Sequence, residues 1–179
     1  AIIYDEISCI EDLPAGWGDE QEAGHYRLRK RNDGALFGYA VGPQSWKKFL
    51  FPGKLKLWEA EKNSKGFEIT PANGQFPKYA FIGVRSCELH AMFIQDKVFN
   101  NGMFSDSYYN KIRKSIFIAA VNCTEAGKTC FCVSMKTGPK AEEGYDIALT
   151  EIINQEKHYF VVDEGTPKGS ELMEQIESQ

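Results

Sequence analysis

The alternation of hydrophobic and polar residues changes near residue 78. Before that point the apolar positions come in short runs, whereas two six-residue apolar runs, 79–84 and 116–121, follow it. Residues 79–84 predict a buried strand. Residues 88–99 predict a helix, because Leu89, Met92, Phe93 and Phe99 lie on one helical stripe.

Two further helices and three further strands are predicted downstream. Residues 108–115 predict a helix with Ser105 or Asp106 as N-cap, and residues 116–121 a second buried strand. A strand, two helices and a strand in succession predict a crossover that makes the two strands parallel neighbours. The remaining elements are strands at 145–153 and 158–162 and a helix from Ser170 onward.

The first part of the chain favours hairpins after a loop-rich entry of about twenty residues. One hairpin is predicted from 25–31 and 35–41 around the turn Asn32-Asp33-Gly34, and a second from 54–58 and 67–70 around the turn 63–66. A short helix is predicted at 46–50. We expect five aromatic side chains in this part to belong to the core: Trp17, Trp46, Phe49, Phe51 and Trp58.

These elements predict an α+β fold: a mixed β-sheet with hairpins and a parallel crossover, and helices packed on the sheet. A length of 179 residues supports one domain, 1–179, with a hairpin-rich part at 1–77 and a cysteine-bearing α/β part at 78–179. The chain starts at Ala1 and ends on an acidic stretch, so we expect a domain excised from a longer polypeptide.

Composition excludes several classes of protein. With 42% hydrophobic and 26% charged residues the chain is typical of globular proteins, and its net charge of −4 gives no footprint for nucleic acid. The basic run 27–31 is interpreted as a solvated strand surface. No apolar run reaches the roughly twenty residues of a membrane span. We therefore expect a cytoplasmic protein, in which clustered cysteines hold metal more often than they form disulfides.

Four of the five cysteines predict a shared site. Cys87 follows the first buried strand, and Cys123, Cys130 and Cys132 follow the second, so neighbouring strands would bring all four thiols to one sheet edge. Four converging thiolates suit a cubane iron–sulfur cluster or tetrahedral zinc. The C-x6-C and C-x-C spacings match neither the usual zinc pairs nor the bacterial ferredoxin run, and a thiol redox site or inert thiols are the other readings.

Two charged or polar neighbours could tune such a site. Arg85 would offset the negative charge of a thiolate cluster, or else pair with a carboxylate. His90 lies three residues after Cys87 and could be a ligand or donate a hydrogen bond to a cluster sulfur. A helix histidine satisfied by its own surroundings is the alternative.

The cysteine segments resemble a known family, the iron–sulfur beta subunit of cytoplasmic [NiFe] hydrogenase/sulfur reductase, which also includes an iron–sulfur component of anaerobic sulfite reductase. The family more often has Pro and Asp where this chain has Ser86 and Glu88, which leaves the cysteine itself unchanged. The ferredoxin-like domain that usually follows this region, with its C-x2-C-x2-C-x3-C-P runs, has no counterpart here. The resembling stretches are 24–28, 34–43, 83–91, 121–125, 129–135, 137–139 and 146–151.

The resemblance implies an electron-transfer domain with a [4Fe–4S] cluster on Cys87, Cys123, Cys130 and Cys132. Such a domain would relay electrons between a flavin-containing subunit or ferredoxin and the catalytic subunit of a hydrogenase, sulfur reductase or sulfite reductase. It would belong to an oxidoreductase complex and make or break no bonds itself. The alternative is a scaffold domain in which the four cysteines hold a structural zinc ion and which docks partner subunits.

Overall fold

A computed structural model describes residues 2–40, 45–71 and 76–176. Their strands form two separate hairpins and one four-stranded sheet. The strands are β1 Trp17–Glu22, β2 His25–Lys30, β3 Trp58–Asn63, β4 Gly66–Pro71, β5 Ala80–Val84, β6 Phe117–Val121, β7 Ile147–Ile153 and β8 His158–Glu164. The helices are α1 Lys47–Leu50, α2 Ser86–Asn100, α3 Ser107–Ser115, α4 Cys132–Met135 and α5 Pro167–Met173, and a 3₁₀ turn spans Ile10–Asp12.

The four-stranded sheet confirms the predicted α+β fold. Its order is β5-β6-β7-β8, with β5, β6 and β7 parallel and β8 antiparallel to β7. Helices α2 and α3 connect β5 to β6, which confirms the predicted crossover. Asp106 is the N-cap of α3, since its side chain accepts a hydrogen bond from the Tyr109 backbone N–H. The division into parts 1–77 and 78–179 stays a prediction.

The core lies between the sheet and the helices. Leu89 and Met92 from α2 and Tyr109 and Ile112 from α3 are almost completely buried. They pack in one cluster with side chains of the sheet and the first segment: Tyr4, Trp46, Leu50, Phe81, Val84, Ile118, Ala120 and Ala148. The expectation that the early aromatics are core residues holds for Trp46, but it is wrong for Trp58, which is 59% exposed.

The first predicted hairpin is wrong in its pairing. Strand β2 pairs with the preceding β1, not with residues 35–40, and β1 lies where a loop was expected. Gly24 adopts a positive φ of 70° and supplies the two-residue turn between Glu22 and His25. The last residue of the strand predicted at 35–41, Val41, lies outside the described residues, as do the neighbouring positions 42–44.

Residues 35–40 instead cross the sheet as an irregular segment, here called the crossing segment. The buried carboxylate of Glu151 in β7 accepts hydrogen bonds from the backbone N–H groups of Leu36, at 2.6 Å, and Phe37, at 2.9 Å. A tertiary contact more than one hundred residues away along the sequence therefore takes the hydrogen bonds that a hairpin would have used.

Three other boundaries differ from the sequence prediction. The strand expected at 54–58 is β3, Trp58–Asn63, because a two-residue turn pairs Asn63 with Gly66 and fixes the strand directly before it. Helix α5 starts before Ser170, since Thr166 caps it and Pro167 occupies its first turn. The short helix α4 begins at the last cysteine of the predicted cysteine loop.

Candidate functional site

Cys87 lies in the first turn of α2, directly after strand β5. The Glu88 side chain fixes this turn by accepting a hydrogen bond from the Arg85 backbone N–H at 2.8 Å. The Tyr4 hydroxyl donates a hydrogen bond to the same carboxylate. Burial raises the pKa of Glu88, which its hydrogen bonds to Arg85 and Tyr4 partly offset. The residue next to Cys87 therefore has little freedom to move.

Cys123 follows the carboxyl end of the neighbouring parallel strand β6. The buried Asn122 before it accepts a hydrogen bond from the Ala141 N–H and donates one to the Thr150 hydroxyl, both at 2.8 Å. The Cys123 N–H donates to the Pro139 carbonyl at 3.2 Å. Its thiol donates to the Glu125 carbonyl, also at 3.2 Å. Cys123 is thus fixed through both its backbone and its neighbour.

Cys132 lies close to the start of α2. A Cβ placed on Gly138 would lie 3.4 Å from Ser86 Cβ and 3.5 Å from Cys132 Sγ. The absence of a side chain at Gly138 therefore lets Ser86 and Cys132 approach each other. The Cys132 carbonyl accepts a hydrogen bond from the Thr137 N–H at 2.9 Å, which closes the turn that carries Gly138.

The four thiols are near enough to influence one another electrostatically. Burial raises the pKa of the Cys87 thiol to about 11, with further contributions from Glu88 and then Cys132, Cys130 and Cys123. Burial also raises the pKa of Cys123, which the positive charge of Arg85 partly offsets. All five cysteines carry free thiols, and Cys9 lies apart at the N-terminal 3₁₀ turn.

Within the described residues, no group of three or more His, Cys, Asp or Glu side chains is arranged to hold a metal ion. The fit to a cluster is therefore one of donor chemistry: four free thiols follow two adjacent strand ends. The shared site of Cys87, Cys123, Cys130 and Cys132 stays a prediction, as does the [4Fe–4S] cofactor.

Arg85 holds backbone carbonyls, whereas the sequence left open a carboxylate partner. Its guanidinium donates to the carbonyls of Phe37, of Tyr39 at 2.9 Å and of Asn122 at 3.4 Å. It therefore ties the crossing segment to the end of β6, directly before Cys123. Its predicted role toward a cluster is untested.

His90 lies one turn after Cys87 on α2, as expected. Its ring is half-buried and packs edge-on against Phe93, with the ring centroids 5.7 Å apart. A ligand role or a hydrogen bond to a cluster sulfur stays a prediction for this residue.

The sequence reading missed the contacts between the first hairpin and the cysteine loop, residues 123–130. Arg29 and Arg31 both pair with Glu125. Lys128 pairs with Glu22 of β1. The signal for this arrangement was the alternation of Arg27, Arg29 and Arg31, which places three cations on one face of a strand.

Comparison with known proteins finds a relative among hydrogenase components. The chain is 33% identical, over 127 residues, to sulfhydrogenase 2 subunit beta of Pyrococcus furiosus. The chain is thus similar to a hydrogenase beta subunit. The match covers 71% of this chain but only 34% of that protein, so the chain spans about a third of its relative's length. No protein-family model and no solved structure match the chain.

No helix within residues 2–40, 45–71 and 76–176 has both the length and the apolar character needed to cross a membrane.

Proposed function

We propose that this chain is an electron-transfer iron–sulfur domain of a multi-subunit hydrogenase, sulfur reductase or sulfite reductase. It would relay electrons between a flavin-containing subunit or ferredoxin and a catalytic subunit. Cys87, Cys123, Cys130 and Cys132 would hold one [4Fe–4S] cluster.

The observation that carries the proposal is the origin of the thiols. Strands β5 and β6 are parallel neighbours, and Cys87 and Cys123 follow their carboxyl ends. Cys132 approaches the start of α2 across Gly138. Since thiolates are the ligands that iron–sulfur clusters require, free thiols gathered from separate elements support a cluster more than a disulfide framework.

The similarity to a sulfhydrogenase beta subunit supports the redox part of the proposal. Its name describes one subunit of a larger enzyme, which suggests that this chain also works beside a catalytic subunit. Because the chain spans a third of that protein, the flavin-containing partner and the catalytic partner belong to the proposal and not to the comparison.

Each residue of the site has a distinct task. A bound cluster would take up and release single electrons. The four cysteines would supply its ligands, and Arg85 would bring a positive charge near Cys123, where it favours the thiolate form. The hydrogen bonds of Arg85 to Phe37, Tyr39 and Asn122 keep that charge in place.

The test is anaerobic reconstitution with ferrous iron and sulfide, followed by iron, acid-labile sulfide and zinc analysis. We expect about four iron and four sulfide per chain and a brown protein with charge-transfer absorption toward the violet. Cys87→Ser and Cys132→Ser should lower the bound iron, whereas Cys9→Ser is the matched control and should not.

Two results would reject the proposal. One zinc per chain without sulfide would establish the scaffold alternative, in which a colourless zinc site of four cysteines docks partner subunits. Equal iron uptake in the Cys9→Ser and Cys87→Ser proteins would show that the iron is bound without the proposed ligands.

A further inference from the structure

The Arg31 side chain occupies a slot that two glycines leave open. A Cβ on Gly38 would lie 2.7 Å from Arg31 Nε, and a Cβ on Gly18 would lie 3.2 Å from Arg31 Cγ. The side chain is only 18% exposed, although the residue follows the solvated strand β2 directly. Arg31 is therefore not an ordinary member of a basic surface.

Three acceptors hold the guanidinium in this slot. Asp33 accepts from Nε at 2.9 Å and from Nη2 at 2.5 Å, and the Gly38 carbonyl accepts from Nη1 at 3.2 Å. The Glu125 carboxylate completes the set as an ion pair with Nη1. A planar fork of donors can bind all three acceptors at once, whereas the single ammonium of lysine cannot keep this geometry.

Glu125 connects this fork to a cysteine. Its side chain binds Arg31 and Arg29, and its backbone carbonyl accepts the hydrogen bond of the Cys123 thiol. The same residue is thus held by the first hairpin and contacts the predicted ligand.

A second set of contacts holds the other end of the cysteine loop. Lys128 pairs with Glu22, and the Thr129 hydroxyl hydrogen-bonds to Gln21 at 3.2 Å. Gly127 packs against the same glutamine, since a Cβ placed there would lie 3.1 Å from Gln21 Oε1. Both the Cys123 end and the Cys130 end of the loop therefore lie against strands β1 and β2.

We propose that Arg31 is a positioning residue for the cysteine site: through Glu125 it fixes residues 123–130 so that Cys123 and Cys130 face Cys87. The proposal deepens the proposed function and rests on it only for the identity of the bound group. The positioning itself is a property of the metal-free chain. Arg31 acts through Glu125 and does not touch the cluster.

The experiment measures how readily each thiol reacts in the metal-free protein. Wild type, Arg31→Met, Arg31→Lys and Glu125→Gln are alkylated at one pH, and the rate at each cysteine is read by mass spectrometry. The matched control is Glu59→Gln, which breaks the exposed Lys56–Glu59 ion pair of the second hairpin. Iron loss to a chelator from the reconstituted proteins is the second readout.

We expect Arg31→Met to speed the alkylation of Cys123 and Cys130 about threefold to tenfold, as expected for a partly exposed charge-assisted contact. Arg31→Lys should fall between Met and wild type, because it keeps the charge and loses the fork. Glu125→Gln should follow Arg31→Met, and Glu59→Gln should equal wild type. The order of iron loss should match the order of alkylation.

Unchanged rates at Cys123 and Cys130 in both Arg31→Met and Glu125→Gln would overturn the positioning role. An equal rise at Cys9 would overturn it too, because it would show general unfolding and not local release. If Arg31→Met fails to fold, Glu125→Gln decides alone. If the wild type binds no iron–sulfide cluster, the proposed function fails while the alkylation comparison still decides this proposal.

Discussion

The two hairpins of this chain are built alike and used differently. Each has two six-residue antiparallel strands joined by a two-residue turn. The first, β1–β2, reaches the cysteine loop through Glu125 and Lys128. The second, β3–β4, exposes every one of its residues, and none of the side-chain hydrogen bonds described for its strands reaches past Lys56.

The difference arises from a third element, the crossing segment. Gly16, just before β1, donates a hydrogen bond to the Ala35 carbonyl at 2.8 Å, and the Asp19 side chain accepts one from the Ala40 N–H. Glu151 holds the same segment on the sheet. A hairpin alone is marginally stable in water, so what it packs against determines its role. The first hairpin is joined to the core, and the second is not.

The largest expected effect compares two phenylalanines. Phe37 in the crossing segment is 5% exposed and packs edge-on against Phe160 at 6.1 Å, whereas Phe67 in β4 is 73% exposed. Phe37→Ala should lower the free energy of unfolding by about 3–5 kcal/mol, because it leaves a cavity against the sheet. Phe67→Ala should change it by less than about 0.5 kcal/mol. Chemical denaturation of both variants measures the difference, and similar losses would show that the second hairpin is packed after all.

The next effect tests the link between the crossing segment and the sheet. Glu151→Ala removes the acceptor of the Leu36 and Phe37 N–H groups and of a 2.8 Å contact with His158. Two backbone donors left without partners should cost about 2–4 kcal/mol of unfolding free energy. Glu68→Ala in the exposed hairpin is the control and should be close to neutral. A neutral Glu151→Ala would mean that water or another acceptor replaces the carboxylate.

These contacts also mark where sequence reasoning succeeded and where it failed. The strands and helices from residue 80 onward were predicted because apolar runs and helical stripes are local signals, as in Leu89 and Met92. The turn residues Asn32-Asp33-Gly34 suggested a hairpin, yet Asp33 binds Arg31 and the Ala35 N–H instead. No local pattern announces that Glu151 will capture residues 36 and 37.

The candidate site divides in the same way. The four cysteines could be selected from their placement after two strands, and the parallel pairing of β5 with β6 is confirmed. The partners that hold their segments could not be selected. Arg85 binds carbonyls of Phe37 and Tyr39, and Arg31 binds Glu125, through contacts between residues 46 to 94 positions apart. Such pairs depend on the arrangement of the whole chain.

A smaller effect should appear in acid. The hydrogen bonds from Arg31 lower the pKa of Asp33 from 3.8 to about 2. A carboxyl whose folded pKa is depressed stabilises the fold above its unfolded pKa, and the stabilisation is lost as the pH falls through the folded value. The window therefore runs from about pH 4 down to about pH 2.

Because the pair is partly exposed, we expect a loss below about 1 kcal/mol across that window. Subtracting the unfolding free energies of Asp33→Asn from those of the wild type isolates it from the other carboxyls. The difference should be constant above about pH 5 and shrink below about pH 4. A difference that stays constant down to about pH 2.5 would contradict the Arg31–Asp33 contact.

The smallest expected effect comes from the largest change, removal of the second hairpin. Trp58 and Pro71 are paired across β3 and β4, so the ends of the deletion are neighbours and Asn-Gly can replace residues 59–70. Since every residue of β3 and β4 is exposed, the shortened protein should keep its unfolding free energy within about 0.5 kcal/mol and the wild-type alkylation rate at Cys123. The matched deletion replaces residues 18–29 of the first hairpin in the same way, since Trp17 pairs with Lys30. That deletion removes the partners of Glu125 and Lys128 on β1 and β2, so Cys123 and Cys130 should react faster. Equal behaviour of the two shortened proteins would remove the distinction between the hairpins.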